Sequence, residues 1–128
     1  MYYENLLEAN LESILEGAQV IFHLAAQPGI SATTPFEDYL NNNIIASYKL
    51  LEVAKKLPTL ELFVNASTSS IYGAIANGPE TVAPAPTSQY GVTKLEAEQH
   101  ALSYHRSLGL PVVNIRFFSV YGERERPE

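Results

Sequence analysis

Three short apolar runs, Gln19 to Leu24, Leu60 to Ala66 and Val112 to Phe118, alternate with stretches of helical period. No other feature constrains the fold as strongly. Runs of this length read as strands. The first helix is expected over Leu6 to Glu16, where Leu6, Leu7, Leu11, Ile14 and Leu15 recur at helical spacing before Gly17. A second is expected over Pro35 to Lys56, through Tyr39, Ile44, Tyr48, Leu51 and Val53, with Pro58 just beyond. A third starts after an N-cap at Thr87 or Ser88 and runs to about Leu108, ended by Gly109. Between them, Gly73 to Pro86 reads as a loop broken by Gly78-Pro79, Pro84 and Pro86. Near-continuous apolar strands separated by helices predict an α/β fold, a parallel sheet with helices on both faces. Three strands leave exposed edges, and Arg124 to Glu128 reads as the middle of a loop. Residues 1–128 are therefore expected to form an incomplete domain, the middle and end of a larger doubly wound one.

Composition narrows the function classes. Apolar residues make up 46% of the chain and charged residues 17%, as in a folded soluble domain rather than a disordered one. The net charge is −6 and the basic residues are scattered, Lys55-Lys56 and Arg124/Arg126 being the densest. Nucleic acid and anionic membrane surfaces are poor partners for such a chain. There is no cysteine, which excludes a disulfide framework and thiolate metal sites and suits a reducing compartment. No apolar run approaches membrane-spanning length, and Met1 to Asn5 carries no basic region of the signal-peptide kind. A cytoplasmic protein is expected. The three histidines have no metal-ligand spacing, so no metal site is expected.

In open parallel sheets, ligands bind at the carboxyl ends of the strands. Three segments fall there: His23-Leu24-Ala25-Ala26, Ser67 to Gly73, and Ser119 to Gly122. Ala25 and Ala26 are small where a ligand could approach the backbone, although ordinary strand-end alanines look the same. Downstream, Tyr90 and Lys94 in Tyr-Gly-Val-Thr-Lys lie four apart and share a helix face. An ammonium beside a phenol favours the phenolate, which can serve as a general base. A hydroxyl from the Ser67–Ser70 segment could hold the oxygen whose proton is taken. In a chain with 8 tyrosines, one Tyr-x-x-x-Lys pair carries little weight without context.

Five ordered motifs supply that context. His-Leu-Ala-Ala-Gln-Pro-Gly (23–29), Asn43 followed by Leu50-Leu51-Glu52, Ser-Thr-Ser-Ser-Ile-Tyr-Gly (67–73), Tyr-Gly-Val-Thr-Lys (90–94) and Arg-Phe-Phe-Ser-Val-Tyr-Gly (116–122) span nearly the whole chain. In order and spacing the chain resembles the NAD-dependent epimerase/dehydratase family, the extended short-chain dehydrogenase/reductases that act on nucleotide sugars. The UDP-glucose and UDP-glucuronate 4-epimerases look closest. The resemblance implies a partial Rossmann-like NAD(P)-binding domain, NAD as cofactor, a nucleotide-sugar substrate, and a homodimer through helices 43–56 and 88–108. It implies Tyr90 as the acid/base, Lys94 as the residue that holds the nicotinamide ribose and assists Tyr90, and Thr68 as the hydroxyl on the reacting oxygen. Ser67 is the competing hydroxyl if the register slips by one. Ala25, Ala26, Asn43, Ser67 and Asn5 would lie along the cofactor, with Asn5 where the family usually has an Asp contacting adenine. Thr68, Ser69, Arg116 and Ser119 would face the substrate.

Two departures accompany the resemblance. The sequence contains no Gly-x-x-Gly-x-x-Gly loop of the kind that cradles pyrophosphate, and it lacks the family's carboxyl-terminal substrate domain. The 4,6-dehydratases carry Asp-Glu where this chain has Ser69-Ser70, so epimerisation is favoured over dehydration. Ser119 stands where galactose-type epimerases have Asn and is closer to the Thr of the glucuronate type. An inactive chain with the fold alone, or a dehydratase or reductase of the same family, remains the alternative. Plainer roles are also open. Asn41 to Asn43 could be solvated helix surface, His23 a strand-end residue satisfied by backbone, and His100 and His105 surface residues. Arg116 could be a structural ion-pair partner and Tyr72 a packing residue.

Overall fold

The computed structural model describes residues 2–29 and 33–123. The loop expected over 124–128 lies outside them. In chain order the elements are α1 (Leu11–Ile14), β1 (Val20–His23), α2 (Phe36–Tyr39), α3 (Ala46–Ala54), β2 (Leu62–Thr68), α4 (Gln89–Leu108) and β3 (Val112–Phe117). A π-helical turn, Leu40–Ile45, joins α2 to α3 without a break, and a 3-10 turn, Ser69–Tyr72, follows β2.

The strands form one parallel sheet in the order β1-β2-β3. His23 lies beside Asn65 and Thr68 beside Phe117, so all three strands deliver their carboxyl ends to one edge. Both crossovers step the same way across the sheet, and right-handed connections then place both helical layers on one face. The core lies under that face: Ile21 and Phe63 pack with Leu11, Leu50, Leu51, Ala54 and Ala101. Burying a side chain such as Phe63 or Leu51 contributes roughly 2–3 kcal/mol.

The expectation of helices on both faces is therefore corrected for the described residues. On the far face Val20, Phe22, Val113, Ile115 and Phe117 stay exposed, Phe22 by 66%. A strand reads as continuously apolar whether its second face is covered or bare, so the sequence could not distinguish the two.

The first helix is also shorter than expected. Asn5 Oδ1 accepts the Leu7 amide at 2.9 Å, while the Asn5 carbonyl takes the amides of Glu8 and Ala9. Asn10 then caps a second turn through the Ser13 amide at 3.2 Å. Two asparagines compete with the backbone and split the segment into separate turns. The long helix α4 agrees with expectation at both ends. Ser88 Oγ accepts the Gly91 amide at 3.0 Å, and Gly109 ends the helix in the left-handed region at φ 72°.

The amino end of α4 abuts the 3-10 turn. A Cβ at Gly91 would stand 2.6 Å from the Ser70 carbonyl oxygen and 3.1 Å from Pro86 Cβ. Helix propensity alone favours alanine over glycine by about 1 kcal/mol. Gly91→Ala is nonetheless expected to destabilise, because a backbone carbonyl has nowhere to withdraw. A thermal melt checks it: the midpoint should fall, and a rise would refute the close packing.

Candidate active site

A cleft of about 280 Å³ opens at the carboxyl ends of the strands. Ser67 and Thr68 enter it from the end of β2, and Tyr90 and Lys94 from the first turns of α4. Leu24, Ala26 and Pro28 form the β1 side, and Phe117 and Phe118 the β3 side. Five expected residues, Ala26, Ser67, Thr68, Tyr90 and Lys94, from three separate motifs thus share one cavity.

Each polar group has a definite state. Thr68, the N-cap of the 3-10 turn, accepts the Ser70 amide at 3.2 Å and donates its hydroxyl to Ser70 Oγ at 3.3 Å. Ser67 Oγ is buried with no hydrogen-bond partner among the described residues. Lys94 is 4% exposed and joins no ion pair among them. Burial lowers its pKa to about 8, because removal from water disfavours the ammonium. Tyr90 is half-buried, and its ring stands 6.4 Å from that of Tyr39.

Asn43 organises the surroundings. It is 1% exposed, which rules out solvated helix surface, and its amide is spent on the protein. Oδ1 accepts the Gln27 amide at 2.7 Å, and Nδ2 donates to Thr93 Oγ1 at 3.0 Å and to the Gln27 carbonyl at 3.3 Å. Thr93 Oγ1 in turn donates to the Tyr90 carbonyl at 3.0 Å. Asn43 thereby ties the segment after β1 to the turn of α4 that carries Tyr90 and Lys94. It sits in the π turn, a rare widening of the helix that recurs at functional sites. Beside it, the Tyr39 hydroxyl donates to the Gly29 carbonyl at 3.0 Å. Asn41 is exposed, and Asn42 bonds back to the Asp38 carbonyl.

The remaining expected residues divide. Asn5 and Ala25 line a neighbouring hollow of about 330 Å³ with Leu6, Asn42 and Ala46, and Ala26 borders both cavities. Ser69 is half-buried in the 3-10 turn and Ser119 is exposed beyond β3; neither lines the cleft. Arg116 points to the helix-covered face of β3, where it lines a separate hollow of about 580 Å³ and pairs with Glu98 of α4. Tyr72 does more than pack, since its hydroxyl accepts from Arg116. His105 is exposed, whereas His100 is half-buried against the Tyr48 ring, with Nδ1 unpartnered among the described residues.

Gln27, Ser47 and Thr93 were not anticipated, and no periodicity marks them. Glu98 could have been found, because it follows Lys94 by one helical turn and Tyr90 by two. His23 is satisfied by a side chain rather than by backbone: Nε2 lies 2.7 Å from Ser47 Oγ, which donates to the Asn43 carbonyl at 2.6 Å. With the serine proton so used, Nε2 must be the protonated nitrogen.

Burial first, and then the charge of Lys94, push the His23 pKa down to about 4. Unfolded, the ring takes a proton near pH 6.5. Its contribution is thus intact above pH 6.5 and lost as pH falls toward 4, by roughly 3 kcal/mol at the limit. Urea midpoints at pH 7 and pH 4.5 should fall further apart for wild type than for His23→Gln. An equal fall in both would refute a neutral buried imidazole.

The comparisons with known proteins agree with this geometry. The family model "NAD dependent epimerase/dehydratase family" matches residues 3–128. The chain is 47% identical to the uncharacterized UDP-glucose epimerase YtcB of Bacillus subtilis (strain 168), over 98% of this chain and 40% of that protein. Its structure is similar to UDP-glucuronic acid 4-epimerase from Bacillus cereus, solved with UDP-glucuronic acid and NAD. The TM-score is 0.91 at 40% identity, covering 98% of this chain and 40% of the other. It is more distantly similar to the dTDP-glucose 4,6-dehydratase DesIV from Streptomyces venezuelae, with a TM-score of 0.80 at 27% identity over 88% and 36% of the two chains. The chain spans about 40% of the length of the first two. Motif order, the converging cleft and the match over residues 3–128 agree: the chain belongs to the NAD dependent epimerase/dehydratase family.

Proposed function

We propose that this chain carries the proton-transfer half of a nucleotide-sugar epimerase, a UDP-sugar 4-epimerase, in a protein that uses NAD. The observation that supports this is the meeting of Thr68, Tyr90 and Lys94 in one cleft at the strand ends. Tyr90 takes the proton of the sugar hydroxyl and later returns it. Thr68 turns its hydroxyl from Ser70 Oγ to the reacting oxygen and holds it while the proton moves. Lys94, one helical turn along α4 from Tyr90 and lining the same cleft, would hold the nicotinamide ribose. Bound NAD would accept hydride from the carbinol carbon and return it to the opposite face, with no net redox change.

The residues present fit such a group. Ser67 Oγ is a buried polar atom without a protein partner among the described residues, and buried polar groups are normally satisfied; Lys94 is buried in the same cleft and joins no ion pair among them. Ala25 and Ala26 leave the strand ends open between the two hollows. Ser69 and Ser70 offer no carboxyl acid or base for water elimination, which favours epimerisation over dehydration. A cytoplasmic location suits the cysteine-free sequence.

For the 128 residues alone, an idle site is the competing function. The sequence contains no Gly-x-x-Gly-x-x-Gly loop, and the far sheet face is apolar and exposed. A homodimer through helices 43–56 and 88–108 belongs to the same proposal. Tyr104 of α4 bonds Glu52 of α3, so the two helices present one joint outer surface. Sedimentation of the full-length protein should give a dimer; a monomer at micromolar concentration would refute it.

In the full-length protein, Tyr90→Phe should lower epimerase activity by roughly 10²–10⁴-fold while NAD stays bound. Retained activity would overturn the assignment. Titrating the 128-residue chain with NAD separates a working half-site from an idle one, by saturable binding or none.

A further inference from the structure

Residues 73–86 join the 3-10 turn that follows Thr68 to the helix that carries Tyr90, and they form no helix or strand. One side chain from a third element holds them. Arg116 on β3 grips both carboxylate oxygens of Glu98, Nε at 3.1 Å and Nη2 at 2.5 Å. Its Nη1 donates to the Glu80 carbonyl at 2.8 Å and to the Tyr72 hydroxyl at 2.5 Å. The guanidinium carbon lies 5.1 Å from the centre of the Tyr72 ring. Glu98 is 1% exposed and follows Lys94 by one helical turn. A single planar fork thus touches α4, the end of the 3-10 turn and the loop between them.

We propose that Arg116 is a positioning residue of the active site: it fixes α4 and the 73–86 loop against β3, and so sets where Tyr90 stands relative to Thr68. This rests on the assignment of Tyr90 and Thr68 as the proton-transfer pair. Stability alone is a weak reason for the arrangement. A buried ion pair loses much of its attraction to desolvation, and a well-packed apolar pair often does as well. What the guanidinium adds is direction, because its donors lie in one rigid plane and reach acceptors on three segments at once. A lysine keeps the charge and the partner Glu98 but cannot make that fork. Small displacements of reacting groups cost much more in rate than in binding.

The test uses the full-length protein with Arg116→Lys and Tyr72→Phe. Arg116→Lys should retain NAD and lower kcat by roughly tenfold or more, with KM for the UDP-sugar within about threefold. Backbone amides in 74–86 should exchange hydrogen faster, and Tyr72→Phe should give the same changes in weaker form. A kcat within about twofold of wild type, or unchanged exchange across 74–86, would overturn the proposal. If Arg116→Lys does not fold, Tyr72→Phe carries the test, and unchanged loop exchange in it overturns the proposal. If wild type and Tyr90→Phe are equally inactive on UDP-sugars, the functional assignment fails, and loop exchange then decides the clamp by itself.

Discussion

The site depends on one buried amide. Asn43 is enclosed where an unsatisfied amide would cost several kcal/mol. The structure meets that demand by bringing three separate elements to it. The segment after β1 offers both backbone groups of Gln27, α4 offers the Thr93 hydroxyl, and Ser47 links the Asn43 carbonyl to His23. The network is satisfied throughout, and such networks specify one arrangement rather than many. The π turn belongs to the same constraint, since it contains Asn43 and carries the chain unbroken into α3. Tyr90 and Lys94 inherit their placement from these contacts.

Around that network, buried charge is handled in two ways. Arg116 and Glu98 are paired and hydrogen-bonded, and the pairing with Glu98 is the main cause that raises the guanidinium pKa. Lys94 has no such partner among the described residues, and burial draws its pKa toward neutrality. A buried ammonium that shares a cleft with an unpartnered serine hydroxyl is a setting in which a ligand's acceptors gain much from binding. Arg116 and Glu98 are satisfied from within the protein, whereas Lys94 faces the cleft with no ion pair among the described residues.

The outer sheet face follows from topology. Two crossovers stepping in the same direction put every described helix on the Phe63 side and leave Phe22, Ile115 and Phe117 on the other. A sheet with one bare apolar face agrees with a chain that spans about 40% of the length of its relatives.

The sequence by itself determined the strand–helix alternation, the ends of α4 at Ser88 and Gly109, and the helical face shared by Tyr90 and Lys94. These are local facts, set by hydrophobic period, capping chemistry and a four-residue spacing. It also placed Ser67 and Thr68 at a strand end, where β2 delivers them. The burial of Asn43, the His23–Ser47 bond and the engagement of Arg116 by Glu98, Tyr72 and Glu80 were decided by tertiary structure alone. The partners in those contacts lie between 16 and 50 residues apart in the chain, and neither period nor composition records which distant group will meet a buried polar side chain.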